Sequence, residues 1–221
     1  MLNPKLIPVI SAAVLAISLA GLAWIFAPVL FTEVRYQEQV KLAAGAKPLT
    51  GFSRLLTRVT GFQELVSQGS GQITPVSPEF SLVIPRIFAN VAVTENVNPQ
   101  DKSIYQSVLK QAGGVAHAAG SALPGEPGTV YIFGHSTDAT INVERFNAVF
   151  YLLRKLEAGD EIIIYYKNTP YKYIVSEKKT VNPDDISDIT NVTNQPRLVL
   201  QTCWPQGTTW KRLLVIAQPQ V

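Results

Sequence analysis

A chain of 221 residues that is 47% hydrophobic and only 16% charged has too many aromatic and aliphatic residues for a disordered protein, and less charge than an ordinary soluble domain. The net charge of +3 marks no basic stripe for nucleic acid. One cysteine excludes an internal disulfide framework, and with two histidines a zinc site would need carboxylates as well, so no metal and no other cofactor is expected.

The shortage of charge is local. Residues 6–32 contain no Lys, Arg, Asp, Glu or His, and all 19 basic and 16 acidic residues lie outside them. As a helix, residues 6–31 would span ~39 Å, more than the ~30 Å of a hydrocarbon core, with tilt absorbing the excess. Pro8 and Pro28 stand near its ends, and Trp24 and Phe26 near its outer boundary, where aromatic rings settle. A cleaved signal peptide is the competing reading, since Ser18-Leu19-Ala20 resembles a small-x-small cleavage site. The apolar run, however, continues eleven residues beyond Ala20, so a transmembrane anchor is the preferred reading. Lys5 and the amino terminus then place residues 1–5 in the cytoplasm as a short tail, and the bulk of a single-pass chain outside the cell membrane. Residues 32–78 form a membrane-proximal spacer. Glycines and prolines interrupt it repeatedly, and Phe52, Leu55, Leu56 and Val59 have the spacing of a short amphipathic helix.

Residues 79–221 make up the soluble domain, and their pattern is mainly short β. Residues 82–85 and 87–93 read as opening strands broken at Pro85. Residues 102–111 read as a helix with Ile104, Val108 and Leu109 on one face. The run 129–133 (TVYIF) is a strand, and residues 143–156 a helix carrying Phe146, Val149, Phe150 and Leu153 on one face before the Ala158-Gly159 stop. Residues 161–167 (EIIIYYK) and 170–175 form a hairpin, and 197–203 (RLVLQTC) and 212–217 (RLLVIA) are the last two strands. Six to eight short strands with few helices indicate a closed or partly closed β-barrel, with a sandwich as the alternative.

Cys203 ends an apolar strand at a loop, where scaffolds hold reactive groups. A buried structural thiol is the plain alternative, but an exported cysteine without an intramolecular partner risks oxidation. His135 follows a strand and Gly134. An imidazole beside a thiol favours thiolate formation and can later protonate a leaving amine. Arg212 opens the strand after Cys203, and in an antiparallel pair it returns beside Cys203, where a guanidinium can stabilise an oxyanion. His117, among small residues in an apparent loop, is the other candidate base, with a supporting or structural role preferred.

These residues resemble the sortase family. Thr202-Cys203 in LVLQTC resembles the family's TLxTC signature, and Arg212 in KRLLV is similar to the sortase arginine. The run SALPGEPG followed by Gly134-His135 is similar to the stretch leading to the catalytic histidine. Ile84-Pro85-Arg86-Ile87 resembles the opening IPKI-type motif, and Val181-Asn182-Pro183-Asp184-Asp185 a late VxPxD loop. The five motifs follow the family's order from Phe80 to Ala217, and the short Cys-to-Arg loop resembles class D or E more than class A. The resemblance implies a closed eight-stranded sortase barrel with short helices behind the transmembrane helix. It implies a cysteine transpeptidase in which Cys203 attacks an LPxTG-like sorting signal of an exported protein, His135 serves as acid and base, and Arg212 orients substrate. Thr202 and His117 are the further substrate-contact candidates, and the acceptor would be an amine of a cell-wall precursor or a pilin lysine. A secreted cysteine peptidase and a non-catalytic, membrane-tethered adhesion or assembly module are the competing functions. Asp184, Asp185 and Asp188 are grouped but make no tight acidic cluster for calcium.

Overall fold

The computed structural model describes residues 7–43, 74–109, 114–136, 149–190 and 194–220. Eight strands close into a barrel in the order β1-β2-β3-β4-β7-β8-β6-β5, with β5 returning to β1. They are β1 (Phe80–Ile84), β2 (Ala89–Val97), β3 (Val115–Ala118), β4 (Thr129–Gly134), β5 (Glu161–Tyr166), β6 (Thr169–Val181), β7 (Arg197–Trp204) and β8 (Lys211–Pro219). Two neighbouring pairs, β2–β3 and β4–β7, are parallel and the rest antiparallel. Parallel neighbours need a crossover. Helix α2 (Lys102–Leu109) lies in the first crossover, and the 3-10 helix η2 (Val149–Lys155), β5 and β6 in the second.

Strand alternation sorts the apolar residues into two layers. Leu82, Ile84, Val130, Ile132, Leu198, Leu200, Leu213 and Val215 fill the interior, joined by Phe150, Leu153 and Leu156 of the η2 segment. On the outer face, Tyr131, Phe133, Val199, Leu214 and Ile216 form a second buried cluster with Ala116, Ala118, Val97 and Val108. Helix α2 covers this cluster through Val108, while Ile104, expected on the same face, is exposed.

The expected elements differ from the structure in instructive ways. Residues 87–93 do not run as one strand: Pro85–Ile87 form a 3-10 turn, η1, and β2 begins at Ala89. The turn closes on Phe88, which adopts the left-handed conformation (φ 55°) and donates its amide to the Pro85 carbonyl. His117 does not sit in a loop but in β3, a four-residue strand of small residues. Of the helix expected over 143–156, residues 149–155 are 3-10 rather than α, and the earlier part lies outside the described residues, as does the short helix expected around Phe52 and Val59. β6 runs six residues past Val175, because a bulge at Val175/Glu177 lets Glu177 to Val181 pair with β8 despite their polar sequence.

At the amino end, α1 (Ile7–Ala43) continues as one helix twelve residues beyond Phe31. The side chains of residues 10–23 in α1 are all exposed. Among the described residues no helix is long and apolar enough to cross a membrane.

Candidate active site

The three strands β4, β7 and β8 lie side by side and carry the site at one end of the barrel. Cys203 on β7 stands directly opposite Arg212 on β8. The parallel β4–β7 pairing runs to Phe133 opposite Gln201, and His135 follows directly after the end of β4 at Gly134. Thr202 pins that strand end: its Oγ1 donates to the Gly134 carbonyl at 2.9 Å. Cys203 and Arg212 are thus paired across β7 and β8, and continuing the β4–β7 register past the end of β4 would line His135 up with them.

Alternation also gives the three a common face. Cys203 shares parity with Val199, His135 with Tyr131 and Phe133, and Arg212 with Leu214 and Ile216, all members of the outer cluster. The three are half-buried, at the rim of an apolar floor. Arg212 Nη1 donates to the carbonyls of Thr209 and Lys211, so its guanidinium rests against its own loop. A thiol and a guanidinium on paired strands, with an imidazole at the end of the next strand, are a set of groups that can perform acyl transfer through a thioester.

The structure does not bring Thr202 or His117 to this face. Thr202 has the parity of Leu198 and Leu200 and is 3% exposed. Its hydroxyl ties β7 to the strand end that carries His135. His117, 2% exposed, has the interior parity of Val115 and lies against the Phe80 ring at 5.6 Å. Its Nε2 is 3.0 Å from the Ala122 carbonyl and 2.8 Å from Ser121 Oγ, and that hydroxyl donates to Ala118 O. A carbonyl only accepts, so Nε2 carries the proton, and the buried Nδ1 has no hydrogen-bond partner among the described residues. Burial holds the imidazole below its ordinary pKa, against the Ala122 hydrogen bond and the charges of Glu95 and Glu126. His117 is thus a neutral strut that holds the turn leading into the PGEPG segment.

That segment is folded on itself. The Leu123 amide donates to the Glu126 carboxylate at 2.9 Å and the Glu126 amide to the Leu123 carbonyl at 3.0 Å. Gly125 (φ +91°) lies so close to the Tyr171 ring that a Cβ would come within 2.6 Å of it. The acidic residues after Val181 are engaged locally: Asp185 accepts from Ser187, and Asp188 pairs with Lys179 at 2.6 Å. Among the described residues no group of three or more His, Cys, Asp or Glu could hold a metal ion.

Two features of the site escaped the sequence reading. The first is the position of Phe150 against Gly134, where a Cβ would come within 3.0 Å of the ring; the signal was Gly134 itself, at the end of a strand otherwise made of large residues. The second is the structural use of Thr202, whose inward parity follows from counting along LVLQTC.

A family model for the Sortase domain matches residues 82–220. Sortase D of Bacillus subtilis (strain 168) is 28% identical over 137 residues, 61% of this chain and 60% of the relative. The chain thus spans well under two thirds of the curated relative it matches. Among solved structures, a lid mutant of sortase A from Corynebacterium diphtheriae is similar at 26% identity with a TM-score of 0.51, covering 73% of this chain and 77% of the other. Sortase C of Clostridium perfringens, solved with the C-terminal cell wall sorting motif, shares the fold at 20% identity and a TM-score of 0.53, over 76% of this chain and 88% of that one. With the family model spanning nearly the whole barrel, the chain belongs to the sortase family.

Proposed function

We propose that this protein is a membrane-anchored sortase that cleaves an LPxTG-like sorting signal on exported proteins and transfers the acyl group to an amine, attaching proteins to the cell surface or joining pilus subunits. The observation that supports this reading is the register that sets Cys203 opposite Arg212, with the strand beside them, β4, ending one residue before His135. His135 takes the thiol proton, and the Cys203 thiolate attacks the carbonyl carbon of the Thr–Gly-type bond. Negative charge gathers on the carbonyl oxygen, and the Arg212 guanidinium stabilises it after leaving the Thr209 and Lys211 carbonyls it now contacts. The imidazolium of His135 protonates the departing amine, leaving a thioester on Cys203. An incoming amine then gives a proton to His135, attacks the thioester and expels the thiolate, so the enzyme is regenerated. The sorting motif held by the Clostridium perfringens sortase C supports this substrate class.

The anchor reading is supported by 27 successive residues without charge, 26 of them within the continuous helix α1, and by the exposed apolar side chains Ile10, Val14, Leu15, Ile17, Leu19 and Leu22 around it. An exposed apolar helical stretch such as residues 10–23 is suited to lipid. The amino terminus then faces the cytoplasm and the barrel the outside.

The test is product analysis with an LPxTG-like peptide, with and without an amine acceptor. Formation of the amide adduct, at the expense of hydrolysis as amine is added, is the expected result. Hydrolysis unchanged by any amine would identify a cysteine peptidase instead.

A further inference from the structure

The part of α1 beyond the apolar run is packed on the barrel. Glu33, Tyr36, Gln37 and Val40 recur at the spacing of one helical face. Glu33 accepts from Arg154 Nη2 at 2.7 Å and from Lys155 Nζ at 2.6 Å, both in the last turn of η2. Tyr36, 6% exposed, meets the Phe88 ring edge-on at 6.5 Å and lies 5.1 Å beneath the Lys155 ammonium, and Val40 packs on the same core. Burial alone pushes the Glu33 carboxyl up. Hydrogen bonds from Lys155 and Gln37 and the charges of Lys155 and Arg154 outweigh it and hold the group below the usual carboxylate range. One carboxylate shared between two half-buried cations is a small network rather than a lone surface pair.

The receiving surface is itself fixed. Phe150, Leu153 and Leu156 are buried in the barrel interior. Lys178 of β6 donates to the carbonyls of Arg154 and Leu156, tying down the end of η2. Phe150 at the other end abuts Gly134, the residue before His135. Phe88, the partner of Tyr36, is the left-handed residue that closes η1.

We propose that Glu33 and Tyr36 form an orientation clamp that joins α1 and the barrel into one rigid body and so holds the Cys203 site at a set height above the lipid surface; the height part rests on the reading of α1 as the membrane anchor. Glu33 is the first charged residue after the apolar run. It lies ~3 Å along the helix axis from Phe31, and Val40 lies ~14 Å from it. The barrel is therefore gripped within the first few turns outside the apolar run. A transpeptidase that must bring two substrates together loses less orientational entropy when its site is already placed.

The full-length chain in lipid nanodiscs tests this. Cys203 is the sole cysteine, so a spin label there and a second at Val34→Cys, an exposed position of α1, report the distance between helix and barrel. The wild-type background should give one narrow distribution. Glu33→Lys should broaden it at least twofold, Glu33→Gln less, and adding Arg154→Glu with Lys155→Glu to Glu33→Lys should restore the narrow form. A broad distribution without the Glu33 change, or one that Glu33→Lys leaves narrow, would overturn the clamp. Flotation with vesicles separates the other premise. A chain that does not float refutes the anchor and the set height, while the rigid joint stands or falls on the distance distribution alone.

Discussion

Thr202→Val separates the structural use of this residue from a substrate contact. The substitution keeps the shape and removes the hydroxyl that donates to the Gly134 carbonyl at 2.9 Å, at a position 3% exposed. Loss of one buried hydrogen bond costs about 1–2 kcal/mol, more if the carbonyl is left with no donor at all. For a domain of this size that corresponds to a fall in Tm of about 3–8 °C. The bond joins β7, one residue before Cys203, to β4, one residue before His135. Its loss therefore loosens the spacing between thiol and imidazole, and a misplacement of ~1 Å can cost ~100-fold in rate. We expect kcat/KM for a sorting peptide to fall at least tenfold with KM little changed, and Thr202→Ser to recover most of both stability and rate. Thermal unfolding and steady-state kinetics on the three proteins decide it. A Val variant as stable as wild type, or one that raises KM alone, would refute the argument and return Thr202 to the substrate side.

Gly134→Ala would place a Cβ 3.0 Å from the Phe150 ring and 3.1 Å from the Gly114 carbonyl. The overpacking should cost ~1–3 kcal/mol, and Phe150→Leu should relieve part of it, so a double-mutant cycle that shows no coupling would contradict the contact. Arg212→Lys keeps the charge but loses the planar fork of donors, and should lower kcat far more than it raises KM; equal activity would remove the oxyanion role. His117 is held below its ordinary pKa chiefly by burial, so the unfolded chain takes up its proton first as pH falls. Stability should therefore decline as pH drops below ~6.5, by at most ~1.4 kcal/mol per pH unit. Urea unfolding at pH 7.5 and 5.5 should show a difference that shrinks in His117→Gln, and an unchanged difference would assign the pH effect to other groups.

The residues that made the barrel legible were the apolar and β-branched runs at 129–133, 161–167, 197–203 and 212–217, each of which is a strand. β3 was not legible because Val115–Ala118 is short and built of small residues, and it is held as a strand by β2 and β4 on its two sides. The polar end of β6 was hidden for a related reason. Its hydrogen bonds go to β8 while most of its side chains remain exposed, so no apolar alternation records the pairing. Cys203 and Arg212 could be set side by side from the sequence because a short loop joins their strands. The place of His135 depends on the parallel β4–β7 pairing, a contact between segments 68 residues apart that no local pattern encodes. The docking of Glu33 on Arg154 and Lys155 is likewise tertiary, spanning more than 120 residues of chain.

In the proposed reaction Cys203 forms a thioester with the sorting signal. Intact-protein mass spectrometry after mixing the full-length protein with an LPxTG-like peptide in the absence of amine tests it most directly. An adduct of the mass of the acyl fragment is expected, mapped to Cys203, discharged by added amine, and missing from a folded Cys203→Ala variant. An adduct that persists in that variant, or cleavage that proceeds there at the wild-type rate, would contradict it.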